Sequence, residues 1–428
     1  MNRRLISFTL LASGFILAVF ACIVLLTLLV RQPLLYTQGS NQTEIAGSSN
    51  LSRTIQNGRT AVIEDGIIRS FKGNKLLVRA TGLIVKLRLT SDKREKIGIR
   101  VQNVNAESVG MAADGLPIRR EPPNTVSFDL DLEPGQTRSV TLYPADNPYD
   151  FSFFVFGDSR GGLNVLSRII DDMNKKKPLF GLDNGDLVTN GSLSEYRAFM
   201  DVIAKAKEPV LTTIGNHDSR MNGLSYYESL LGTPYCSFSF GECHFIFLRT
   251  TEKGLDEIQY RWLESDLKTN HLPKVFIFAH VPPLDPRPGK NHAFINTGQR
   301  DLFLDLMKRY RVTRVYLSHI HGYHRFERDG VTYVISGGAG AVLESADSYY
   351  HYIDVRVNSE GITEKVVKVP ASQVVKTVVE PIKQYGSEDI RAFWVSVGML
   401  SIGGCLIAAG LILFFIDIRS EVRARETA

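Results

Sequence analysis

Residues able to bind a metal recur along the middle of the chain, and each set follows an apolar run. The sets are Asp158 after residues 151–156, Gly185-Asp186, Gly215-Asn216-His217-Asp218, His280 after residues 275–279, and His319-Ile320-His321. A single set is weak evidence, because a Gly-Asp pair after a strand is usually a turn and a lone histidine is more often structural. Carboxylate, carboxamide and imidazole groups together suit Mn, Fe or Zn better than a soft metal.

The segments between these sets predict how the residues are positioned. Strands are expected at 151–156, 179–182, 210–214, 275–279, 315–317 and 331–335, and helices at 163–175, 194–206, 256–268 and 299–310. The second helix follows a capping-box pattern, Ser192 and Glu195. This alternation predicts a layered α/β domain over residues 149–370. Because the carboxyl ends of such strands face one crevice, the sets should converge there.

In their order along the chain, these motifs resemble the calcineurin-like metallophosphoesterases. The order is Asp, Gly-Asp, Gly-Asn-His-Asp, His and His-x-His, each at a strand end, and the resemblance covers about residues 151–355. It implies a β-sandwich flanked by helices and the hydrolysis of a phosphate mono- or diester. It also implies a centre of two divalent ions, Mn, Fe or Zn.

The resemblance further implies how the ligands divide between the two ions. Asp186 would bridge them, and Asp158 and His321 would bind the first. The second ion would be bound by Asn216, His280 and His319. Two such ions supply a hydroxide near neutral pH and neutralise charge on the phosphoryl group.

His217 and Asp218 complete the implied catalytic set. His217 would protonate the leaving oxygen or stabilise its charge, and Asp218 would orient His217.

The sequence departs from the family pattern in its first motif. The family has Asp-x-His, but this chain has Arg160, which cannot bind a metal. The purple acid phosphatase branch has a Tyr three residues after the bridging Asp, where this chain has Thr189. Water, Thr189, Asn190 or Asn164 could complete the first ion's ligands. Arg160 would either grip phosphate oxygens or form a salt bridge at the rim of the site.

Two other functions deserve comparison. A catalytically degenerate binding or scaffold protein with the same fold would explain the loss of a ligand at Arg160. A metallo-β-lactamase-type hydrolase would explain the run His319, His321 and His324, but that family has an Asp where this chain has Tyr323. His324 is therefore expected at the rim or surface. Structural or exposed positions are expected for His244, His271, His292 and His351.

The region before the α/β domain has a different pattern. Residues 61–148 alternate apolar and polar positions with period two, which predicts a small all-β sandwich domain. This region has no cluster of His, Cys or acidic residues at ligand spacing, so its default role is support or substrate presentation. Polar linkers are predicted at 31–60 and 371–392.

Both ends of the chain carry long uncharged apolar runs, at 5–30 and 393–416. We expect an N-terminal transmembrane anchor at 1–30, a C-terminal transmembrane helix at 393–418 and a cytoplasmic tail at 419–428. A cleaved signal peptide is the alternative for the first run. Arg3 and Arg4 precede the first run and Arg419, Arg423 and Arg425 follow the second. These flanks predict an integral membrane protein with both termini cytoplasmic and the catalytic domain extracytoplasmic.

The net charge and the predicted location indicate which partners to expect, and the four cysteines are considered with them. A net charge of +5 over 428 residues gives no case for a nucleic-acid partner. The predicted location suggests a phosphorylated small molecule or a lipid-linked phosphate as substrate, at a membrane that the chain crosses twice. Cys22 and Cys405 fall within the predicted spans. Cys236 and Cys243 bracket an expected hairpin, and whether they form a disulfide is left open by their spacing.

Overall fold

The computed structural model describes residues 43–46 and 51–371, apart from residues 114 and 253. The predicted membrane spans at 5–30 and 393–416 lie outside the described residues. Within the described ranges, no helix is long and apolar enough to cross a bilayer.

The first part of the fold is all-β, as the period-two pattern predicted. Its strands are β1 (Thr43–Ala46), β2 (Leu51–Gln56), β3 (Arg59–Glu64), β4 (Gly66–Lys72), β5 (Lys75–Ala80), β6 (Val85–Ser91), β7 (Glu95–Gln102), β8 (Gly110–Ala112), β9 (Arg119–Glu121), β10 (Thr125–Leu132) and β11 (Thr137–Tyr143). They form two sheets, ordered β1-β2-β3-β6-β11-β8 and β4-β5-β7-β10-β9. Alternate residues such as Leu87, Ile99 and Phe128 are buried in one core shared by both sheets.

Part of the predicted linker at 31–60 is not a linker. β1 and β2 lie within it and pair antiparallel, and β2 pairs in turn with β3. The composition there is polar, but main-chain hydrogen bonding to β3 does not require apolar side chains. These strands could therefore not be predicted from composition.

The second part is an α/β domain. Its strands are β12 (Phe151–Phe156), β13 (Gly181–Asn184), β14 (Val210–Thr213), β15 (Cys236–Phe240), β16 (Cys243–Leu248), β17 (Lys274–Ala279), β18 (Arg314–Leu317), β19 (Tyr323–Arg328), β20 (Val331–Ser336), β21 (His351–Asn358) and β22 (Gly361–Lys368). Its helices are α1 (Leu163–Lys176), α2 (Leu193–Ile203), α3 (Gly223–Leu230), α4 (Glu257–Thr269) and α5 (Thr297–Arg309).

This domain has four layers, helices outside and two sheets inside. The sheets are ordered β14-β13-β12-β21-β22 and β15-β16-β17-β18-β20-β19. Phenylalanines such as Phe153, Phe245 and Phe278 fill the space between them. The helices α1, α2 and α3 cover one sheet, and α4 and α5 cover the other. The layered α/β prediction is confirmed, and so is the capping box of Ser192 and Glu195 at the start of α2.

Side chains of the all-β part bind the segment that leads into β14. Asn124 Nδ2 donates to the carbonyl oxygens of Ala204 (3.2 Å) and Ala206 (2.9 Å). Asn105 Nδ2 donates to Glu208 Oε2 at 2.7 Å. These bonds hold the two parts of the chain together through polar contacts.

Cys236 and Cys243 do not form a disulfide. Both thiols are free and buried, on the neighbouring strands β15 and β16. The register places Cys236 opposite Phe247 and Cys243 opposite Phe240, so the two thiols lie at different levels of the hairpin.

Candidate metal centre

The strand-end residues predicted from the sequence converge at one edge of the α/β domain. Asp158 follows β12, Asp186 follows β13, and His319 follows β18. The main-chain N–H of His319 donates to Asp158 Oδ2 at 2.8 Å, which joins one sheet to the other. Asp186 Oδ1 lies 3.3 Å from His280 Nε2, at the end of β17. Both sheets therefore build the site.

Tight turns at the strand ends aim these side chains inward. Asp158, Asp186 and His319 adopt left-handed backbone conformations, with φ of 59°, 57° and 67°. A Cβ atom at Gly215 would lie 2.2 Å from the main-chain nitrogen of Asp186, so only glycine fits beside that turn. This contact explains the glycine that precedes Asn216.

His280 and Asp186 form a close pair in a buried position. His280 Nδ1 lies 3.0 Å from the carbonyl oxygen of Asn184, which identifies Nδ1 as the protonated nitrogen. Nε2 lies 3.3 Å from Asp186 Oδ1 and has no other partner among the described residues. Burial lowers the pKa of His280, but the Asp186 carboxylate outweighs burial and raises that pKa to about 9. A cation between these atoms, a proton or a metal ion, would satisfy both.

His319 and Asn216 lie close to this pair and complete a possible set of metal ligands. The candidate ligand atoms of Asp186, His280 and His319 all lie within 4.8 Å of one another. Asn216 lines the same cavity, and its buried Oδ1 accepts no hydrogen bond within the described part of the chain. Two imidazoles, a carboxylate and a carboxamide oxygen are suitable ligands for one divalent ion of the Mn, Fe or Zn type.

Asp158 and His321 lie on the other side of Asp186. His321 Nε2 is 3.3 Å from Asp158 Oδ1, and His321 Nδ1 lies 2.6 Å from the carbonyl oxygen of Val342. Arg160 contacts this side as well: its Nε donates to Asp186 Oδ2 at 3.1 Å, and its Nη2 is 3.4 Å from His321 Nε2. Arg160 was expected either to bind phosphate oxygens or to form a salt bridge at the rim of the site. The structure contains a salt bridge, to Asp186, and it lies within the site.

His217 reaches the site, but Asp218 does not orient it. His217 Nδ1 lies 2.6 Å from the carbonyl oxygen of Thr189, and Nε2 lies 3.0 Å from Arg220 Nη2. The buried Asp218 carboxylate instead accepts main-chain hydrogen bonds, from Asp186 among others. The expected His217–Asp218 pair is therefore wrong. The Asp218 carboxylate points into the fold and binds main-chain N–H groups, and the carbonyl oxygen of Thr189 contacts His217 in its place.

The cavity in front of these residues has a volume of about 910 Å³ and a mainly basic wall, in which Glu344 pairs with Arg287. Arg160, Arg287, Lys290 and His292 line it together with the strand-end residues. Arg287 and Lys290 were not predicted from the sequence, and His292 was expected to have a structural or exposed role. All three lie in the loop that follows β17 and His280. Since loops at the carboxyl ends of such strands face the crevice, this position could have indicated them.

The remaining histidines lie away from the candidate ligands. His324 Nε2 contacts Glu344 Oε1 at 2.7 Å near the rim, in agreement with its expected place. His244 is held between Ser239 and Asp266. His351 is fully buried, and burial lowers its pKa to about 4.

Known proteins resemble this chain over the same region. Residues 151–323 match the family model described as calcineurin-like phosphoesterase. A probable glycerophosphodiester phosphodiesterase, GpdQ, of Arcobacter nitrofigilis is 28% identical over 160 residues, which are 34% of this chain and 58% of that protein. The match thus spans less than two thirds of that relative.

Two solved structures are also similar. Purple acid phosphatase PPD1 from yellow lupin (Lupinus luteus) seeds has a TM-score of 0.48 and 14% identity, covering 74% of this chain and 79% of that one. A dimetal phosphatase from Danio rerio has a TM-score of 0.38 and 14% identity, covering 52% of this chain and 100% of that one. The family match over residues 151–323 confirms the resemblance carried by the strand-end motifs: this domain belongs to the calcineurin-like metallophosphoesterase superfamily.

Proposed function

We propose that the chain hydrolyses a phosphate mono- or diester with the help of a divalent metal ion. The observation that carries this proposal is the group of Asp186, His280 and His319, whose candidate ligand atoms all lie within 4.8 Å of one another, with His280 Nε2 3.3 Å from Asp186 Oδ1 in a buried place. One carboxylate and two imidazoles at this spacing are a donor set that suits a divalent ion.

The residues that would hold this ion are Asp186, Asn216, His280 and His319. A bound divalent ion supplies a Lewis acid for the phosphoryl group and lowers the pKa of a water molecule. The carbonyl oxygen of Thr189 fixes the ring of His217 at the cavity wall, and Nε2 lies 3.0 Å from Arg220 Nη2 and 3.9 Å from Asp186 Oδ2. His217 is the residue placed to protonate a leaving oxygen. The family resemblance implies a second ion. Asp158 and His321 would hold it, together with Asp186 shared between the two ions.

The substrate that we propose carries its phosphate into the basic wall of the cavity. Arg287 is held by Asp285 and Glu344, whereas Lys290 is exposed. The exposed ammonium of Lys290 can therefore bind an anionic group of the substrate, such as a phosphate. The relative from Arcobacter bears the name of a glycerophosphodiester phosphodiesterase, which supports a glycerophosphodiester as the first substrate to assay.

We propose further that the site lies outside the cytoplasm, anchored by membrane helices at 5–30 and 393–416. Support comes from the apolar runs and their arginine flanks alone. A lipid-linked phosphate would then be within reach. The test is a cysteine placed at the exposed Lys72 in intact cells. Labelling of Lys72→Cys by a membrane-impermeant maleimide before lysis is expected, and labelling only after lysis would contradict the location.

The activity is tested with the full-length protein in detergent. With Mn²⁺ present, we expect hydrolysis of p-nitrophenyl phosphate, its bis ester or a glycerophosphodiester, and loss of that activity with a chelator. Asp186→Ala should lower the rate at least about 100-fold, because it removes a central ligand. The matched control is Asp301→Ala, an exposed carboxylate on α5. Full activity in Asp186→Ala and His217→Ala would contradict the proposal.

The alternative is a binding or scaffold protein with the same fold. Arg160 favours it, since this cation stands where the family has a metal-binding histidine. Metal analysis separates the two functions: a bound ion with turnover supports the hydrolase, and no ion under any condition supports the scaffold.

A further inference from the structure

The two sides of the Asp186 carboxylate have different surroundings. Oδ1 faces His280 Nε2 and belongs to the group that suits a metal ion. Oδ2 accepts a hydrogen bond from Arg160 Nε at 3.1 Å. Oδ1 also accepts the main-chain N–H of His217 at 2.9 Å. A second ion bound at Oδ2 would have to displace the Arg160 guanidinium.

His321 is engaged by the same guanidinium. Its Nδ1 is directed at the carbonyl oxygen of Val342, so Nε2 is the nitrogen left to bind a metal. Arg160 Nη2 lies 3.4 Å from this atom. The guanidinium therefore contacts two of the three side chains that the family resemblance assigns to the first ion.

The position of Arg160 is held by the fold. Its main-chain N–H donates to the carbonyl oxygen of Asp186 at 3.0 Å, so backbone and side chain both bind that residue. Its side chain is only 20% exposed, and that of Asp186 is 1% exposed. Among the described residues, the three-residue group with metal-ligand spacing is Asp186, His280 and His319, which includes neither Asp158 nor His321.

We infer that the Arg160 guanidinium replaces one of the two metal ions, so that the centre holds a single divalent cation at Asp186, Asn216, His280 and His319. This inference rests on the proposed metal site. A guanidinium supplies one positive charge and fixed donors for phosphate oxygens, but it binds no water as a Lewis acid. The single ion is then the sole source of Lewis acidity, and Arg160 serves as a fixed positive charge beside it.

The test counts ions and does not depend on turnover. The full-length protein in detergent is stripped with a chelator, titrated with Mn²⁺ and measured by elemental analysis and electron paramagnetic resonance. We expect one Mn²⁺ per chain and the spectrum of an isolated ion. Arg160→His, which supplies the ligand typical of the family, should raise the content to two ions with an exchange-coupled spectrum.

Two further variants serve as controls. Arg160→Lys keeps a positive charge that cannot bind a metal while protonated, and should remain at one ion. Arg220→His makes the same exchange as Arg160→His at an arginine that contacts His217, and should also remain at one ion.

The inference is overturned if the wild-type chain binds two ions, if it binds none, or if folded Arg160→His stays at one. One ion without hydrolysis would leave the inference standing and refute the proposed function. Two ions with hydrolysis would do the reverse.

Discussion

The side-chain amide of Asn103 hydrogen bonds to both main-chain groups of Val210. Its Oδ1 accepts from the N–H at 2.9 Å, and its Nδ2 donates to the carbonyl oxygen at 3.1 Å. Asn103 belongs to the all-β part, whereas Val210 is the first residue of β14, the strand that leads to Asn216 and His217. The all-β part therefore fixes the start of a strand whose other end carries site residues.

Loss of this amide should destabilise the protein. Asn103→Asp keeps the size of the side chain and tolerates its positive φ, but removes donors to Ala80 and Val210 and buries a carboxylate. We expect a loss of about 3 kcal/mol in the free energy of unfolding, measured by urea or thermal unfolding. Asn57→Asp, also at positive φ but in an exposed turn, is the control and should change stability by less than about 0.5 kcal/mol. Equal stabilities would contradict the role of Asn103.

Glu208 should make stability depend on pH. Burial raises its pKa from 4.5 to about 7. The folded state therefore binds a proton more tightly than the unfolded state, and stability falls as pH rises from about 4.5 to about 7, by about 3 kcal/mol in all. Glu208→Gln should flatten this dependence in unfolding experiments between pH 4.5 and 8. Glu107→Gln, a neighbouring exposed carboxylate, should preserve it. An unchanged slope in Glu208→Gln would disprove the assignment.

Asp218 should matter for the shape of the site. Its Oδ2 accepts from the main-chain nitrogens of Asp186 (2.9 Å) and Gly215 (2.7 Å), and its Oδ1 from that of Val188 (2.9 Å). Asp218→Asn replaces one acceptor by a donor, leaves a buried N–H unpaired and should cost about 2 to 4 kcal/mol of stability. Mn²⁺ affinity should fall as well, measured by calorimetry. Asp201→Asn, on the exposed side of α2, should leave both quantities unchanged.

The rate of the proposed reaction should depend on the charge beside His217. Burial lowers the pKa of His217, and the nearby Arg160 and Arg220 lower it further against the carboxylate of Asp186. A histidine that acts as an acid loses its proton as pH rises through this pKa. Arg220→Gln removes one positive charge that lowers the pKa of His217, so the falling limb of the kcat profile should move to higher pH.

Two variants check this interpretation. His217→Gln should abolish the falling limb, and Arg309→Gln, an exposed arginine on α5, should not move it. A profile that Arg220→Gln leaves in place would remove His217 from the proton transfer.

The layered α/β fold and the strand ends could be predicted because the spacing of apolar residues and the polar residues that follow each strand are local features of the sequence. The ends of β12 and β17 bring Asp158 and His280 to one crevice as expected. The partners of Asp218 could not be predicted, because main-chain nitrogens from the loop after β13 and from its own loop after β14 meet there only after folding. Composition also missed β1 and β2, whose main-chain pairing with the all-β sheet is a tertiary property.

Arg160 was recognised as unusual from the sequence, but its partners were not. Whether a guanidinium points at the rim or into the ligands depends on the turn after Asp158, which sequence spacing does not reveal. The same holds for Lys290 and His292, which reach the cavity through the course of a long loop.

The left-handed conformations of Asp158, Asp186 and His319 have an evolutionary consequence. Each costs a residue with a Cβ atom of the order of 1–2 kcal/mol, which glycine would not incur. At Asp158 and Asp186 the carboxylates offset this cost, because they accept the main-chain N–H groups of His319 and His217. A lineage released from the chemistry would therefore be free to change His319 first, and descendants that keep all three residues are under selection for what the side chains do.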